Sequence, residues 1–270
     1  MLEYRISKPV NVAEIANAVE KNKRLRGATE WFKSQMAVGV PVDRMELEIR
    51  AGKLYDQYRH LLVERKTRLD HYLIGHPKVQ GIFKDAADFF GVDVPENITA
   101  HLLLNQPKSP NFTGFHTRGS HGEIILPSNL GTTLEDSQTI LPDLRTTAHE
   151  SLHGLVDMMR TSQIPRRVVK YLGTKDLSRE DLSVISHGVI FALCPGVLCS
   201  KYGLAVDDKL FSDAKTKPVP KRRTRDFVHT VPKILAERIL GITQAQLDSG
   251  KNIFSGEYPI KVIDEYLGLC

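Results

Sequence analysis

The chain has 270 residues, of which 41% are hydrophobic and 26% are charged. This balance is typical of a folded protein with a substantial core and excludes wholesale disorder. No stretch approaches about 18 consecutive apolar residues, so we expect no membrane span. The N-terminus lacks the apolar core of a secretory signal, and an odd number of cysteines (Cys194, Cys199 and Cys270) provides no disulfide framework. We therefore expect a cytoplasmic protein.

The region 1–94 is predicted to be helical throughout. Apolar residues recur at helical spacing in 12–19, 31–36, 42–74 and 78–90, and the last helix is expected to end at Gly91. Opposite charges four residues apart, Glu46 with Arg50 and Glu64 with Arg68, indicate a solvated helix face in the longest of these segments. The region could form one wall of a substrate cleft or a separate recognition module.

The pattern changes near Val94, where we place a boundary between the N-terminal region 1–94 and a second domain, 95–270. Short extended segments are predicted at 99–104, 112–116 and 122–127, the last two joined by a Gly/Ser turn. Helices are predicted over 144–159 and from a capping box at Ser178 to Pro195. Three further helices are predicted at 232–240, 243–247 and 260–267.

Two histidines flank a glutamate in the sequence His149-Glu150-Ser151-Leu152-His153. Residues four apart on a helix project from the same face, so both imidazoles can bind one metal ion. The glutamate beside the first histidine can reach a metal-bound water and accept its proton. The pattern therefore indicates a Zn²⁺ site with His149 and His153 as ligands and Glu150 as the general base.

The residues around the motif, 146–155, are otherwise uncharged and include helix-period apolar positions. In this respect the segment resembles the extended signature of zincin metallopeptidases, and Asp157 lies where thermolysin-like enzymes carry an aspartate. The resemblance implies an α+β, mainly helical fold with a small antiparallel sheet beside the motif helix. Its edge strand would bind the substrate backbone by strand addition, and we assign 122–127 to that strand.

The third metal ligand departs from the family pattern. Val156 and Met159 stand where metzincins have glycine and histidine, which excludes that class, and position 173, where a thermolysin-like glutamate is typical, is glycine. We favour His187, which lies in an apolar helix beside a glycine. The alternatives are Glu180 and Asp181, two turns earlier at the start of the same helix.

Several other polar residues are weaker candidates for the site. Asp157 could orient a ligand histidine, and His116 and His121 flank the expected substrate strand. His229 or Tyr258 could donate a hydrogen bond to a developing oxyanion.

The sequence therefore predicts a zinc-dependent peptidase acting on a peptide or protein substrate. The alternative is a non-catalytic protein with a structural or vestigial metal site, and a third possibility is a metal hydrolase acting on a non-peptide amide. The net charge of +5 is partly concentrated in the segment 215–225, which could bind an acidic partner or nucleic acid. Substrate and oligomeric state are not encoded in any recognisable pattern.

Overall fold

The computed structural model describes residues 1–6, 44–105, 115–116, 123–129, 140–159, 161–204, 206–222 and 224–270. The predicted helices at 12–19 and 31–36 lie outside these residues. The described chain divides into two compact units, each assembled from two segments. Unit 1 comprises Met1–Pro77 with Pro95–Gly154, and unit 2 comprises Lys78–Val94 with Leu155–Cys270. The predicted domains 1–94 and 95–270 stay a prediction, although the chain does pass from one unit to the other at Val94.

Unit 1 contains a sheet of four strands within the described residues: β1 (Leu2–Ile6), β2 (Ile98–Asn105), β3 (Phe115–His116) and β4 (Glu123–Asn129), in the spatial order β1-β2-β4-β3. Strand β2 pairs in parallel with β1, with Tyr4 opposite Ala100, and in parallel with β4, with Ala100 opposite Ile124. Residues 98–102 of β2 are all buried, so both faces of this central strand are covered, as is usual for a parallel strand.

The expected antiparallel sheet is corrected by this topology. Among the described strands, only the short pair β3–β4 is antiparallel, with Phe115 opposite Ile125 and His116 opposite Ile124. Strand β4, which contains most of the segment 122–127 assigned as a substrate-binding edge, therefore has a neighbour on each side at Ile124 and Ile125. Strand β1 also corrects the all-helical prediction for 1–94. Its partner β2 lies more than ninety residues away in sequence, so local periodicity carried no signal of the pairing.

Helix α1 (Arg44–Gly75) confirms the predicted long helix and packs against β1 and β2. Its buried residues Leu62 and Leu69 join Tyr4, Leu102 and Leu126 in the core of unit 1. A 3₁₀ turn (Pro77–Gln80) leads into α2 (Gly81–Phe90), which belongs to unit 2. Helix α2 ends, as predicted, at Gly91, whose positive φ of 67° is available to glycine at little cost.

Helix α3 (Ile140–Met158) carries the histidine motif, and the chain passes from unit 1 to unit 2 after Gly154, within this helix. A 3₁₀ turn (Thr161–Gln163) follows. The remaining helices belong to unit 2: α4 (Arg166–Gly173), α5 (Arg179–Phe191), α6 (Leu198–Lys201), α7 (Asp208–Thr216), α8 (Arg225–Asp248) and α9 (Tyr258–Leu267). Helix α8 packs against α5, α7 and α9.

Two of the predicted helix boundaries in unit 2 are confirmed and one is wrong. Ser178 caps α5 in the predicted capping box with Asp181, and α9 matches the prediction for 260–267 closely. The separate helices predicted at 232–240 and 243–247 form one helix, α8, which starts after Thr224 and includes Pro232. The hydroxyl of Thr224 accepts from the Phe227 amide, and this N-cap, not the proline, sets the start of the helix.

Among the described residues, one stretch, Arg179–Lys201, has the length and composition of a membrane span. Two-thirds of its apolar window is buried in the structure, as in a core helix. The stretch is also interrupted between α5 and α6, because Cys194, Pro195 and Gly196 have non-helical backbone angles. Each helical piece is thus much shorter than the roughly 20 residues that a spanning helix needs.

Candidate metal centre

Helix α3 has a buried face that fixes its orientation in unit 1. Leu144, Ala148 and Leu152 follow one another at four-residue spacing and are each at most 2% exposed, which is the pattern of an amphipathic helix packed against a core. Asp143 lies in the first turn, where a negative charge is favourable at the positive end of the helix dipole.

Two polar contacts anchor this helix to the rest of unit 1. Arg65 on α1 binds Asp143 in a bidentate ion pair, in which Nε donates to Oδ2 at 2.6 Å and Nη2 donates to Oδ1. The hydroxyl of Tyr4 on β1 lies 3.2 Å from Oγ1 of Thr147, which itself donates to the carbonyl of Asp143 at 2.8 Å. Burial raises the pKa of Tyr4, so its hydroxyl stays protonated and available as a donor.

The two histidines are one helical turn apart on α3. Residues four apart are separated by about 40° around the axis, so both histidines lie on one face, turned by about 80–160° from the anchor residues Asp143 and Thr147. Both imidazoles are half-buried. Their ring centroids are 5.1 Å apart with the planes inclined at 73°. The structure thus brings the first two predicted ligands side by side.

The spacing of the two rings fits a shared zinc ion. With a tetrahedral angle and Zn–N bonds of about 2.0–2.1 Å, two imidazoles on one zinc have ring centroids about 5.2 Å apart. The observed 5.1 Å agrees with that separation. The nitrogen donors are also of the kind that zinc prefers. His149 and His153 therefore have donor atoms of the kind that binds zinc, at a centroid separation that an ordinary edge-to-face ring pair also has.

Glu150 is the third residue of the motif. It is 9% exposed, next to His149 in sequence and about 100° from it around the helix axis. Ser151, beside it, is also buried and donates from Oγ to the carbonyl of Thr147 at 2.8 Å. A largely buried carboxylate in the same motif as two imidazoles is a residue type that can act as a general base.

The structure leaves the third ligand as a prediction. Within the part of the chain that the structure describes, no three His, Cys, Asp or Glu side chains are grouped closely enough to hold one metal ion. His187 lies on α5 in unit 2, half-buried, with Nδ1 2.8 Å from the carbonyl of Ser183. A hydrogen bond at one ring nitrogen commonly orients the imidazole, and here it holds the ring of His187 against its own helix.

The two acidic alternatives have different environments. Glu180 is exposed in the first turn of α5. Asp181 is buried, and its carboxylate accepts from Ser178 in the capping box and from the hydroxyl of Tyr266. Burial opposes ionisation of Asp181, but these hydrogen bonds and the nearby guanidinium of Arg222 hold the pKa of the carboxyl below its usual range. Asp181 thus already has a role as a helix cap and a tertiary anchor.

The remaining candidates are dispersed. Asp157 and His229 are exposed on α3 and α8. Tyr258 is buried, and its hydroxyl lies 2.9 Å from Oγ1 of Thr243, so its hydroxyl takes part in a hydrogen bond within the core of unit 2. The side chain of His116 and all of His121 lie outside the described residues.

The basic segment 215–225 joins α7 to α8 and is largely exposed in its described part. Two of its charges have acidic neighbours: Lys215 lies 3.4 Å from Glu237, and Arg222 lies 3.5 Å from Asp181. Lys217, Lys221 and Arg225 are exposed. The segment therefore has a smaller unbalanced charge than its sequence suggests.

Sequence reasoning missed the residues that hold the motif helix in place, namely Arg65, Asp143, Tyr4 and Thr147. Asp143 in the first helical turn was the only local signal, because its partner Arg65 is 78 residues away in sequence. Comparison of the chain with protein families, with characterised proteins and with solved structures finds no match.

Proposed function

We propose that the protein is a zinc-dependent peptidase whose metal is bound by His149 and His153, with Glu150 as the general base. The observation that supports the proposal most directly is the side-by-side arrangement of the two imidazoles at a centroid distance of 5.1 Å on one face of α3. His187 is the proposed third ligand, and the protein is proposed to act in the cytoplasm on a peptide or protein chain.

A bound zinc ion would supply a Lewis acid that polarises the scissile carbonyl and makes an adjacent water more acidic. Glu150 would accept the proton of that water at its carboxylate and pass it to the leaving amine. Its burial supports this role, because exclusion of water strengthens the electrostatic interactions of a carboxylate with a proton donor.

The anchoring of α3 supports a catalytic role for the motif. A general base must remain within hydrogen-bonding distance of the water that it deprotonates. The buried Arg65–Asp143 ion pair fixes the first turn of α3. The contact between Tyr4 and Thr147 fixes the next turn, immediately before the motif. Such support is what a preorganised site requires.

The experiment compares the wild-type protein with Glu150→Gln and His153→Ala. Zinc per chain is measured by elemental analysis, and cleavage is measured on a mixed library of unstructured peptides. We expect about one zinc per wild-type chain and cleavage that a chelator removes. Glu150→Gln should keep the zinc and lose about 10²–10⁴-fold in cleavage rate, the usual contribution of a general base. His153→Ala should lose the zinc.

Two outcomes would contradict the proposal in different ways. Cleavage unchanged in Glu150→Gln would rule out the assigned mechanism. Stoichiometric zinc in a wild type that cleaves no peptide would favour the non-catalytic alternative, or a hydrolase with a non-peptide amide substrate. The third ligand is tested separately by His187→Ala beside Glu180→Ala, because only the true ligand should weaken zinc affinity.

A further inference from the structure

Two of the three cysteines lie together in the core of unit 2. Cys194 is in the interruption between α5 and α6, and Cys199 is in α6. Both side chains are fully buried, and neither cysteine is in a disulfide. Their sulfur atoms are 3.3 Å apart. The proposed peptidase mechanism uses neither residue.

The proximity of the two sulfurs depends on the interruption of the helix. In a continuous helix, residues five apart are rotated by about 140° from one another and face different directions. The non-helical backbone at Cys194, Pro195 and Gly196 changes that relation and brings the thiols together. The interruption is tightly packed, because a Cβ on Gly196 would lie 2.8 Å from Cδ1 of Leu240 on α8.

The separation of the sulfurs is close to that of a covalent bond. A disulfide has a sulfur–sulfur distance of about 2.03–2.05 Å, so the two atoms need to approach by only about 1.3 Å. A rotation of the two side chains can supply a movement of this size. Two buried cysteines that served only as small hydrophobic residues would have no need to place their sulfurs against each other.

We propose that Cys194 and Cys199 form a reversible disulfide when the protein meets a small peroxide. One thiol attacks the peroxide oxygen, which gives a sulfenic acid and releases water (or an alcohol from an organic peroxide). The second thiol then attacks the sulfenic sulfur, forms the S–S bond and releases water. The two sulfurs together lose two electrons and two protons, and the peroxide is reduced. A dithiol reductant reverses the modification by exchange.

The disulfide would link the segment after α5 directly to α6. In a reducing cytoplasm the pair would be present as thiols, as in the structure, and would oxidise only on exposure to peroxide. Burial should make the reaction slower than oxidation of an exposed thiol, because access depends on local opening. The exposed Cys270 provides that reference within the same chain.

The test uses hydrogen peroxide on the full chain with Cys270→Ser, so that the only remaining thiols are those of the pair. After exposure, the protein is denatured, alkylated and digested with trypsin. Cleavage after Arg179 and Lys201 yields a single peptide, 180–201, that contains both cysteines. We expect this peptide to lose the mass of two hydrogens, to carry no alkyl group, and to regain two alkylatable thiols after treatment with a dithiol reductant.

Matched variants distinguish this bond from other oxidation products. Cys194→Ser and Cys199→Ser, each combined with Cys270→Ser, should show no loss of two hydrogens within the peptide. Non-reducing electrophoresis should show monomers, since the bond forms within one chain. Two thiols that remain alkylatable long after wild-type Cys270 is fully oxidised would overturn the proposal. So would sulfinic or sulfonic acid formed in place of the disulfide, or disulfide-linked dimers. Zinc content and peptide cleavage do not enter this test, so its outcome is independent of the proposed function.

Discussion

At the scale of single residues, the contact between Arg65 and Asp143 is the main support of the motif helix. Both side chains are buried, at 4% and 8% exposed, and the guanidinium meets both carboxylate oxygens. Removing one partner of a buried ion pair leaves the other charge in a medium of low polarity. The cost of such a change therefore exceeds the interaction energy of the intact pair.

We predict that Asp143→Ala lowers the free energy of unfolding by about 3–5 kcal/mol, the range found when a buried pair loses one partner. Urea denaturation followed by circular dichroism measures this change. Asp70→Ala is the matched control, because the partly exposed pair Lys66–Asp70 on α1 should contribute less than about 1 kcal/mol. Equal effects of the two substitutions on the free energy of unfolding would show that Arg65 does not need Asp143 as a buried charge partner.

The candidate site shows which residues a sequence can reveal. His149, Glu150 and His153 were identifiable because their relation is local: the helix repeat alone places the two histidines on one face. The support from Arg65 and Tyr4 was not identifiable, because it joins residues that are far apart in sequence through a fold that local periodicity does not specify. The third ligand could not be identified from the sequence for the same reason, since its position also depends on tertiary structure.

At the scale of elements, local signals predicted the helices well where the ends are marked. Gly91 ends α2 and Ser178 begins α5, and each satisfies backbone groups at a helix terminus. Pro232 was misleading, because α8 continues through it. A helix usually ends at or before the residue that precedes a proline. Here Val231, Pro232 and Leu235 are buried, and the packing of these side chains outweighs the local preference for a helix end.

The contact between α5 and α8 depends on a glycine. A Cβ added to Gly188 on α5 would lie 2.6 Å from Cδ2 of Leu235, a fully buried side chain on α8. Leu235 has little room to move away, so the two helices would have to separate. The close approach explains why α5 has glycine at this position despite the lower helix propensity of the residue.

We predict that Gly188→Ala lowers the free energy of unfolding by about 1–3 kcal/mol, the usual cost of overpacking. Gly241→Ala is the control. This glycine is in the same helix as Leu235, and a Cβ there meets no atom within 4 Å. Alanine at 241 should therefore stabilise the protein by about 0.5–1 kcal/mol through its helix propensity. Thermal and urea denaturation measure both, and a stabilising Gly188→Ala would contradict the packing argument.

At the scale of the whole molecule, contacts distant in sequence complete each unit. In unit 1, β1 pairs with β2 across more than ninety residues. In unit 2, the hydroxyl of Tyr266 on α9 donates to Asp181 at the start of α5, 85 residues earlier. The Asp181 carboxylate thus joins the C-terminal helix to the middle of the chain, and its ionisation should affect the stability of unit 2.

We predict that this carboxylate makes unit 2 sensitive to acid. Its pKa is held below the ordinary value in the folded state, so its contribution is complete above the unfolded pKa of about 3.9 and is lost as the pH falls through the folded value. Asp181→Asn should lower the free energy of unfolding at pH 7 by about 1.5–3 kcal/mol, the contribution of a hydrogen bond to a charged group. The difference from wild type should shrink below pH ~4.

Glu180→Gln, at the exposed neighbouring position, is the matched control. Denaturation with urea between neutral and acidic pH measures both variants. A difference between Asp181→Asn and wild type that stays constant across this range would show that ionisation of Asp181 is not linked to folding.

The interleaving of the two units has a consequence for synthesis on the ribosome. Strand β1 is synthesised before β2 and can pair only once residues 98–102 of β2 have been made. At about 5–20 residues per second, the strand waits roughly 5–20 s before it can pair. Helix α2 likewise waits for the rest of unit 2, which begins at Leu155. A nascent chain of this kind exposes the edges of β1 to other polypeptides during that delay and gives a chaperone time to bind.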